Sequence, residues 1–353
     1  MSTSPVKYVQ LGKSGLRVSV PIVGALSYGN PKWGATDEST QWVLGEEQAL
    51  PILKAAWDRG INTIDTSNNY SNGDSERVIA QFIKTYQIPR EEIVIASKCY
   101  ALAGKGPDHN VMAFRFPAMK TRKEYINQHG LSRAAIFNSI EGSLARLETP
   151  YIDLYQIHRF DPDTPPEETM KALHDLVESG KVRYIGASSM ACWQFALLNE
   201  VAEKHGWTKF VSMQDEYSLL YREEEREMLA YCKYHGIGVI PWSPLAGGKL
   251  ARPIGRDTAR SRLVSSIGMA KENPVDTEII KRVEEISKQR EWKMSQVALA
   301  WAQRSVTSPI VGMNSIQRVD ESIVSGQLTD EEAGYLEEPQ IPAQGDPWVR
   351  WLK

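Results

Sequence analysis

Eight strand-then-helix units in one chain predict an α/β protein: a single (β/α)8 barrel with an N-terminal β-hairpin and long loops over its C-terminal mouth. Three observations carry the prediction. The strands are mostly short apolar runs, as in a parallel sheet covered on both faces. They alternate regularly with runs of helical apolar spacing. Several stop on a polar residue, namely Asp65, Lys98, His158, Ser188, Gln214 and Ser243. The competing architecture, an open doubly wound sheet, would carry a Gly-rich turn after its first strand, and the sequence has no G-x-G-x-x-G there and no phosphate loop.

In order along the chain, Lys7 to Val20 holds two short runs around Gly12-Lys13-Ser14-Gly15, which reads as the hairpin. The first barrel strand is Pro21 to Ala25, followed by a loop to Leu44 and a helix from Glu46 to Arg59, ended by Gly60. The second strand, Ile61 to Ile64, ends on Asp65; Tyr70 sits five residues on, and Asn72-Gly73-Asp74 break the chain before a helix from Ser75 to about Tyr86. The third, Ile93 to Ser97, ends on Lys98. A long irregular segment, 99–130, follows, and Ser132 caps a helix to about Leu147. Tyr151 to Ile157 ends on His158, and Pro165-Pro166 start a helix that stops near Gly180. Val182 to Ala187 ends on Ser188 and precedes a helix from Cys192 to His205. Phe210 to Met213 ends on Gln214 and precedes one from Glu223 to Tyr234. Gly238 to Pro241 ends on Trp242 and Ser243. After a Gly- and Arg-bearing loop, helical runs at Thr277–Arg290 and Ser295–Arg304 precede the eighth strand, Pro309 to Gly312. A helix from Ser315 and a short one at Thr329–Leu336 finish the pattern. The reading is one barrel domain over residues 1–353, with its core at about 11–338 and a tail at 339–353.

Composition narrows the function. The 353 residues carry 41 basic and 44 acidic side chains, a net charge of −3, with no basic block, so nucleic acid is not an expected partner. No apolar run approaches a membrane span, and the first ten residues lack the apolar core of a signal peptide, so the expected location is the cytoplasm. Three widely spaced cysteines, Cys99, Cys192 and Cys232, fit a reducing compartment. No pair of histidines at ligand spacing and no cysteine cluster suggests a metal site.

In a barrel the polar strand ends converge on one mouth. Lys98 ends an apolar strand, where a desolvated ammonium needs a counter-ion, and Asp65 supplies one. A phenol is a poor acid at neutral pH, but a cation beside it favours the phenolate and lowers its pKa. Tyr70, Lys98 and Asp65 together are therefore a way to build a proton donor, with His158 as a further polar group at the rim.

The set Asp65, Tyr70, Lys98 and His158, embedded in DTSNNY, IASK and YQIHRFD, resembles the catalytic tetrad of the aldo-keto reductases. The likeness extends through IGASS, QDEYSLL, PWSPLAGG and the stretch from Gly312 to Ser322, and within the family it is most similar to fungal aryl-alcohol dehydrogenase-like and versiconal hemiacetal acetate reductase-like members. The resemblance implies an NADPH-dependent reductase of aldehydes or ketones, reversible as alcohol oxidation. Tyr70 would donate the proton, Lys98 held by Asp65 would lower its pKa, and His158 would orient the carbonyl. Ser188, Ser189 and Gln214 would hold the nicotinamide carboxamide, with Trp242 against its ring. Ser243, Pro244, Leu245, Ala246 and Gly247 would wrap the pyrophosphate of NADPH/NADP+, and Gly312, Asn314, Arg318, Glu321 and Ser322 would surround the adenosine and its 2′-phosphate. Ser189 and Ser322 stand where many relatives carry Asn. The Kv channel β subunits, a more distant branch, suggest the alternative of an NADPH-sensing regulatory subunit; a Schiff-base aldolase using Lys98 is a third reading.

The aromatic loop residues Tyr28, Trp33, Tyr100 and Tyr217 are candidates for the substrate pocket, as are Phe114, Phe116, Trp348 and Trp351. They predict uncharged aromatic or apolar carbonyl substrates, since no strand end offers a spare Arg or Lys beyond Lys98. Oligomeric state is not readable from the sequence.

Overall fold

The computed structural model describes residues 6–33, 41–104, 120–256, 258–259, 262 and 273–339. The hairpin is β1 (Lys7–Gln10) paired antiparallel with β2 (Arg17–Val20). Eight parallel strands follow: β3 (Ile22–Gly24), β4 (Thr63–Asp65), β5 (Val94–Cys99), β6 (Ile152–Ile157), β7 (Val182–Ser188), β8 (Ser212–Gln214), β9 (Gly238–Val239) and β10 (Ile310–Gly312). They pair in the order β10-β3-β4-β5-β6-β7-β8-β9. Ile310 N donates to Pro241 O at 2.9 Å and Thr307 N to Val239 O at 2.8 Å, which joins the last strand back to β9 and closes the (β/α)8 barrel.

Helices cover the outside: α1 (Glu46–Asp58), α2 (Asp74–Thr85), α3 (Arg133–Leu147), α4 (Pro166–Glu178), α5 (Cys192–His205), α6 (Met228–His235), α7 (Pro274–Gln289), α8 (Met294–Ala302), α9 (Ile316–Ser322) and α10 (Asp330–Glu337). Ser132 caps α3 by accepting from Ala135 N, Ser315 caps α9 by accepting from Arg318 N, and Thr329 caps α10 in a reciprocal pair with Glu332.

Period-2 alternation sorts each strand. Ile95, Tyr155, Ile157, Ile185, Ala187 and Met213 face outward into the layer shared with the helices. Inward, Ile22, Ala96, Leu154, Ile240 and Ile310 form one apolar layer, and Leu11 and Val18 of the hairpin close it from the N-terminal end. Above that layer the interior becomes polar. Gly186 belongs to it: a Cβ there would collide with the Ser212 hydroxyl and crowd Gln156. Inside the barrel, the glycine makes room for polar side chains.

Two expectations need correction. Most strands are shorter than the apolar runs, β3 and β9 by two residues each, whereas β5 and β7 are one residue longer; past β9 the ladder continues as single bonds such as Ile240 N to Met213 O and Trp242 N to Asp215 O, both 2.9 Å. The helix expected from Glu223 to Tyr234 is split into a 3-10 turn, Glu223–Glu225, and α6. Arg222 holds Glu225 through two bonds of 2.8 Å, and Glu227 takes a non-helical backbone at φ −139°. Of the segment 99–130, residues 105–119 lie outside the described residues, as do Phe114, Phe116, Trp348 and Trp351; Tyr125 packs on Leu102.

Candidate active site

The parallel register sets the site. Asp65 lies opposite Ala96, so Lys98, two residues further along β5, rises beyond it on the same inward face. Lys98 is fully buried, and its Nζ donates to Asp65 Oδ2 at 2.6 Å, Thr66 O at 2.9 Å and the Tyr70 hydroxyl at 3.2 Å. Those three bonds use all its protons. The Asp65 carboxylate is satisfied as well, its Oδ1 accepting from Gln214 Nε2 at 2.8 Å and Gln156 Nε2 at 3.1 Å. A buried ion pair holds its geometry only when such extra bonds complete it. Because the Tyr70 oxygen accepts from Lys98, its own proton remains to be given elsewhere.

Tyr70 opens a 3-10 turn, Tyr70–Gly73, in which Ser71, Asn72 and Gly73 are all left-handed, at φ 48°, 56° and 90°. This turn drops the phenol back toward Lys98 before α2 begins. The His158 ring meets the Tyr70 ring edge-on, with centroids 5.9 Å apart. Its Nδ1 lies 3.4 Å from Ser67 Oγ, and its Nε2 has no hydrogen-bond partner among the described residues. Asp65 and Lys98 are sealed, whereas Tyr70 and His158 keep part of their surface open.

Electrostatics at the site differ in one respect from the expectation. Burial pushes the Tyr70 phenol above its ordinary value; Lys98 pulls it down, and the Asp65 charge pushes it up again. The net shift is upward, because desolvation of the phenolate outweighs the ammonium beside it. Burial lowers the Lys98 pKa, but Asp65 and Tyr70 more than reverse this, so Lys98 stays charged. Burial, with the positive charges of Lys98 and Arg159, holds His158 well below the usual imidazole range, so the ring is neutral at neutral pH.

The rest of the rim is continuous with this set. Ser188, opposite Gln214 in register, donates to Gln214 O at 2.7 Å, and Ser189 stands at φ 49° with its N–H on Asp215 Oδ1 at 2.6 Å. Trp242 Nε1 donates to Ser189 Oγ at 3.0 Å, which fixes the indole over that turn. Past β9 the chain coils through left-handed positions at Ser243, Ala246 and Gly247 into a 3-10 turn, Ala246–Ala251. The amides of Ala246 and Gly247 are used inside the turn. Those of Ser243 and Leu245, on either side of Pro244, have no protein partner among the described residues and remain available to an anion. A cleft of about 370 Å³ follows, lined by Ala251, Pro253, Gln317, Arg318 and Glu321. Among the described residues the Arg318 guanidinium has one carboxylate contact, at 3.8 Å to Glu321. Gly312 and Asn314 are exposed where β10 ends, while Ser322 is buried and spends its hydroxyl on Arg318 O at 2.7 Å. This donor set fits an elongated anionic cofactor: an amide end at Ser188, Ser189 and Gln214, free main-chain amides midway, and a guanidinium at the far end. Gln214 brings its amide oxygen, because its nitrogen is taken by Asp65 and by Gln156 Oε1 at 3.0 Å.

The aromatic candidates divide. Tyr28 is buried and donates to Met313 O at 2.5 Å; Trp33 is buried edge-on to Trp42; Tyr217 is stacked on Trp301 with its hydroxyl on Glu225 at 2.8 Å. All three are packing side chains here. Tyr100 alone is half-exposed, at φ 117°, a conformation strained for a bulky residue. Sequence reasoning missed Gln156, although it shares the inward face of β6 with His158. It also missed Asp215 and Arg159, the neighbours of Gln214 and His158. Among the described residues no group of His, Cys, Asp and Glu is arranged to hold a metal, and no helix is long and apolar enough to cross a membrane.

A closed barrel whose mouth presents a phenol backed by a buried ammonium, beside a neutral imidazole, is equipped to exchange a proton with a carbonyl or alcohol oxygen. The aldo/keto reductase family model matches residues 25–340. An aldo-keto reductase of Fusarium vanettenii is 51% identical over 97% of this chain and 93% of its own length. The versiconal hemiacetal acetate reductase of Aspergillus parasiticus is 45% identical over 98% of this chain and all of its own. A protein of Schizosaccharomyces pombe that bears the name aryl-alcohol dehydrogenase is 46% identical over 98% and 99%. The chain belongs to the aldo-keto reductase family, and it is an oxidoreductase.

Proposed function

We propose that the protein is an NADPH-dependent reductase of aldehydes or ketones whose substrates have an aromatic or apolar body. The observation that carries the reading is the three-way bonding of Lys98, which leaves the Tyr70 proton directed to an outside acceptor. In this reading NADPH, when bound, supplies the hydride. Tyr70 holds the proton that the carbonyl oxygen takes up, and Lys98 stabilises the phenolate as it forms. His158 bonds the carbonyl oxygen through Nε2, so stabilisation grows as charge develops on that oxygen. Asp65 and Gln156 keep Lys98 in place. Ser188, Ser189 and Gln214 hold the carboxamide, Trp242 flanks the ring, Ser243 to Gly247 take the pyrophosphate, and Gly312, Asn314, Arg318 and Glu321 surround the adenosine. The relatives named for aryl-alcohol and hemiacetal chemistry support the substrate class.

The test is the disappearance of NADPH absorbance with a series of aromatic aldehydes. Tyr70→Phe is expected to slow turnover about 10²- to 10⁴-fold while still binding NADPH; full activity in that variant would remove the mechanism. Arg318→Ala is expected to weaken NADPH about 10- to 150-fold and leave NADH nearly unchanged, since only the 2′-phosphate distinguishes them. Equal losses for both cofactors would take Arg318 out of the phosphate site.

A further inference from the structure

Arg159 follows His158 at the end of β6, and the barrel's strand order places it. Three strands separate β4 from β8 whichever way the ring is followed, and β6 lies midway on one side. The Arg159 guanidinium interacts electrostatically with Tyr70 from the loop after β4, Tyr100 after β5 and Asp215 after β8. From the end of β6, next to His158, its charge therefore acts on groups at the loops after β4, β5 and β8, on the mouth side of the barrel. Its Nη1 donates to the His158 carbonyl at 2.7 Å, which curls the side chain back against the end of β6.

Among the described residues the guanidinium also has no carboxylate paired with it, although Arg side chains elsewhere, such as Arg90, Arg146 and Arg290, are paired with carboxylates at 2.6–2.7 Å. Asp215, the carboxyl that acts on it, is turned to the Ser189 amide and to Glu224, with which it shares hydrogen-bonding contact. Arg159 is exposed as a residue, yet its guanidinium is partly desolvated by the walls of the mouth. A planar, unpaired, partly desolvated cation next to the reacting groups is the side chain that recognises a carboxylate by two parallel bonds.

We propose that Arg159 is a specificity-determining residue that binds a carboxylate on the substrate, so that the preferred carbonyl compounds are aromatic or apolar aldehydes and ketones bearing an acid group. This inference rests on the reductase reading and replaces the expectation of uncharged substrates, whose premise was that no spare cation stood at a strand end.

The experiment compares kcat/KM with NADPH for benzaldehyde and for 2-, 3- and 4-carboxybenzaldehyde, in wild type, Arg159→Gln and Arg159→Lys. The wild type is expected to favour at least one carboxylated isomer over benzaldehyde by tenfold or more. The ratio should fall about 10- to 100-fold in Arg159→Gln and recover in part in Arg159→Lys, which keeps the charge without the fork. Equal rates for neutral and carboxylated aldehydes, or an unchanged ratio in Arg159→Gln, would overturn the inference and leave the reductase intact. If the wild type reduced none of them, the reductase reading would fall, and calorimetric binding of benzoate against benzamide to the NADPH complex would decide the role of Arg159. Benzoate binding lost in Arg159→Gln supports it, and indifference to charge or to the substitution overturns it.

Discussion

Asp215 and Glu224 meet at the mouth with no cation bridging them among the described residues. Asp215 Oδ1 takes the Ser189 amide, and Oδ2 is buried with no hydrogen-bond partner among the described residues, a place that a proton held between Asp215 and Glu224 would fill. Burial raises Asp215 to about 6; burial and the facing Asp215 charge raise Glu224 to about 7. Unfolded carboxyls titrate near 4. Between about pH 4 and 7 this pair therefore binds more protons in the folded protein than in the unfolded chain, and its contribution to stability falls as pH rises through that window. Glu224→Gln supplies a permanent donor to Asp215 and should flatten this slope. At pH 8 the gain should be on the order of 1 kcal/mol, kept small because Glu224 is partly solvated. Urea unfolding at several pH values reads it directly; a slope identical to wild type would mean that the two carboxyls do not share a proton. Such pairing was invisible in the sequence, where Asp215 and Glu224 stand nine positions apart in loops and nothing signals that they meet.

At the scale of elements, α2 is what presents Tyr70, and a buried ion pair fixes it. Glu76 in the first turn of α2 is fully buried; its Oε1 accepts from Ser97 Oγ of β5 and its Oε2 from Arg146 Nε of α3, both at 2.6 Å. Ser97 and Lys98 are neighbours on opposite faces of one strand, so the same strand ties down α2 from outside and Tyr70 from inside. Arg146→Met would strand the Glu76 carboxylate and should cost about 3–5 kcal/mol, seen as a lower denaturation midpoint. A loss below 1 kcal/mol would show that water replaces the guanidinium there. The elements themselves were legible, because apolar runs and capping residues such as Ser132, Ser315 and Thr329 act locally. Their polar end residues were legible for the same reason: a strand can stop on Asp65 or Lys98 only if something at its end accepts the charge. What the sequence concealed was partnership between neighbouring helices far apart in the chain, as with Glu76 and Arg146, seventy positions apart. The difference between a pocket aromatic and a packing one was likewise hidden: Tyr217 reads as a loop residue but completes the cluster with Trp301 and Leu250.

Across the whole molecule, stability and chemistry occupy opposite ends of the barrel, as the fold allows. The polar layer of Asp65, Lys98, Gln156 and Gln214 lies at the C-terminal end, and the apolar layer of Ile22, Ala96, Leu154, Ile240 and Ile310 lies beneath it. The hairpin plugs that lower layer. Leu11 is fully buried in it, Lys13 N donates to Gly236 O at 2.7 Å, and Ser19 N donates to Thr63 Oγ1 at 3.0 Å. Gly12, at φ 59°, lets the turn approach the Gly236–Gly238 backbone so closely that a Cβ would collide with it. Leu11→Ala removes a side chain from a closed layer that has little freedom to collapse. It should cost about 2–5 kcal/mol of stability. Because the polar layer is tied together by its own bonds, from Gln214 through Asp65 to Lys98 and Tyr70, kcat/KM at a temperature well below unfolding should stay within about twofold of wild type. Both quantities are measured on one preparation, by urea titration and by NADPH-coupled turnover. If kcat/KM fell together with the unfolding midpoint, the plug would be setting the geometry of the mouth, and the two ends of the barrel would have to be treated as one coupled unit.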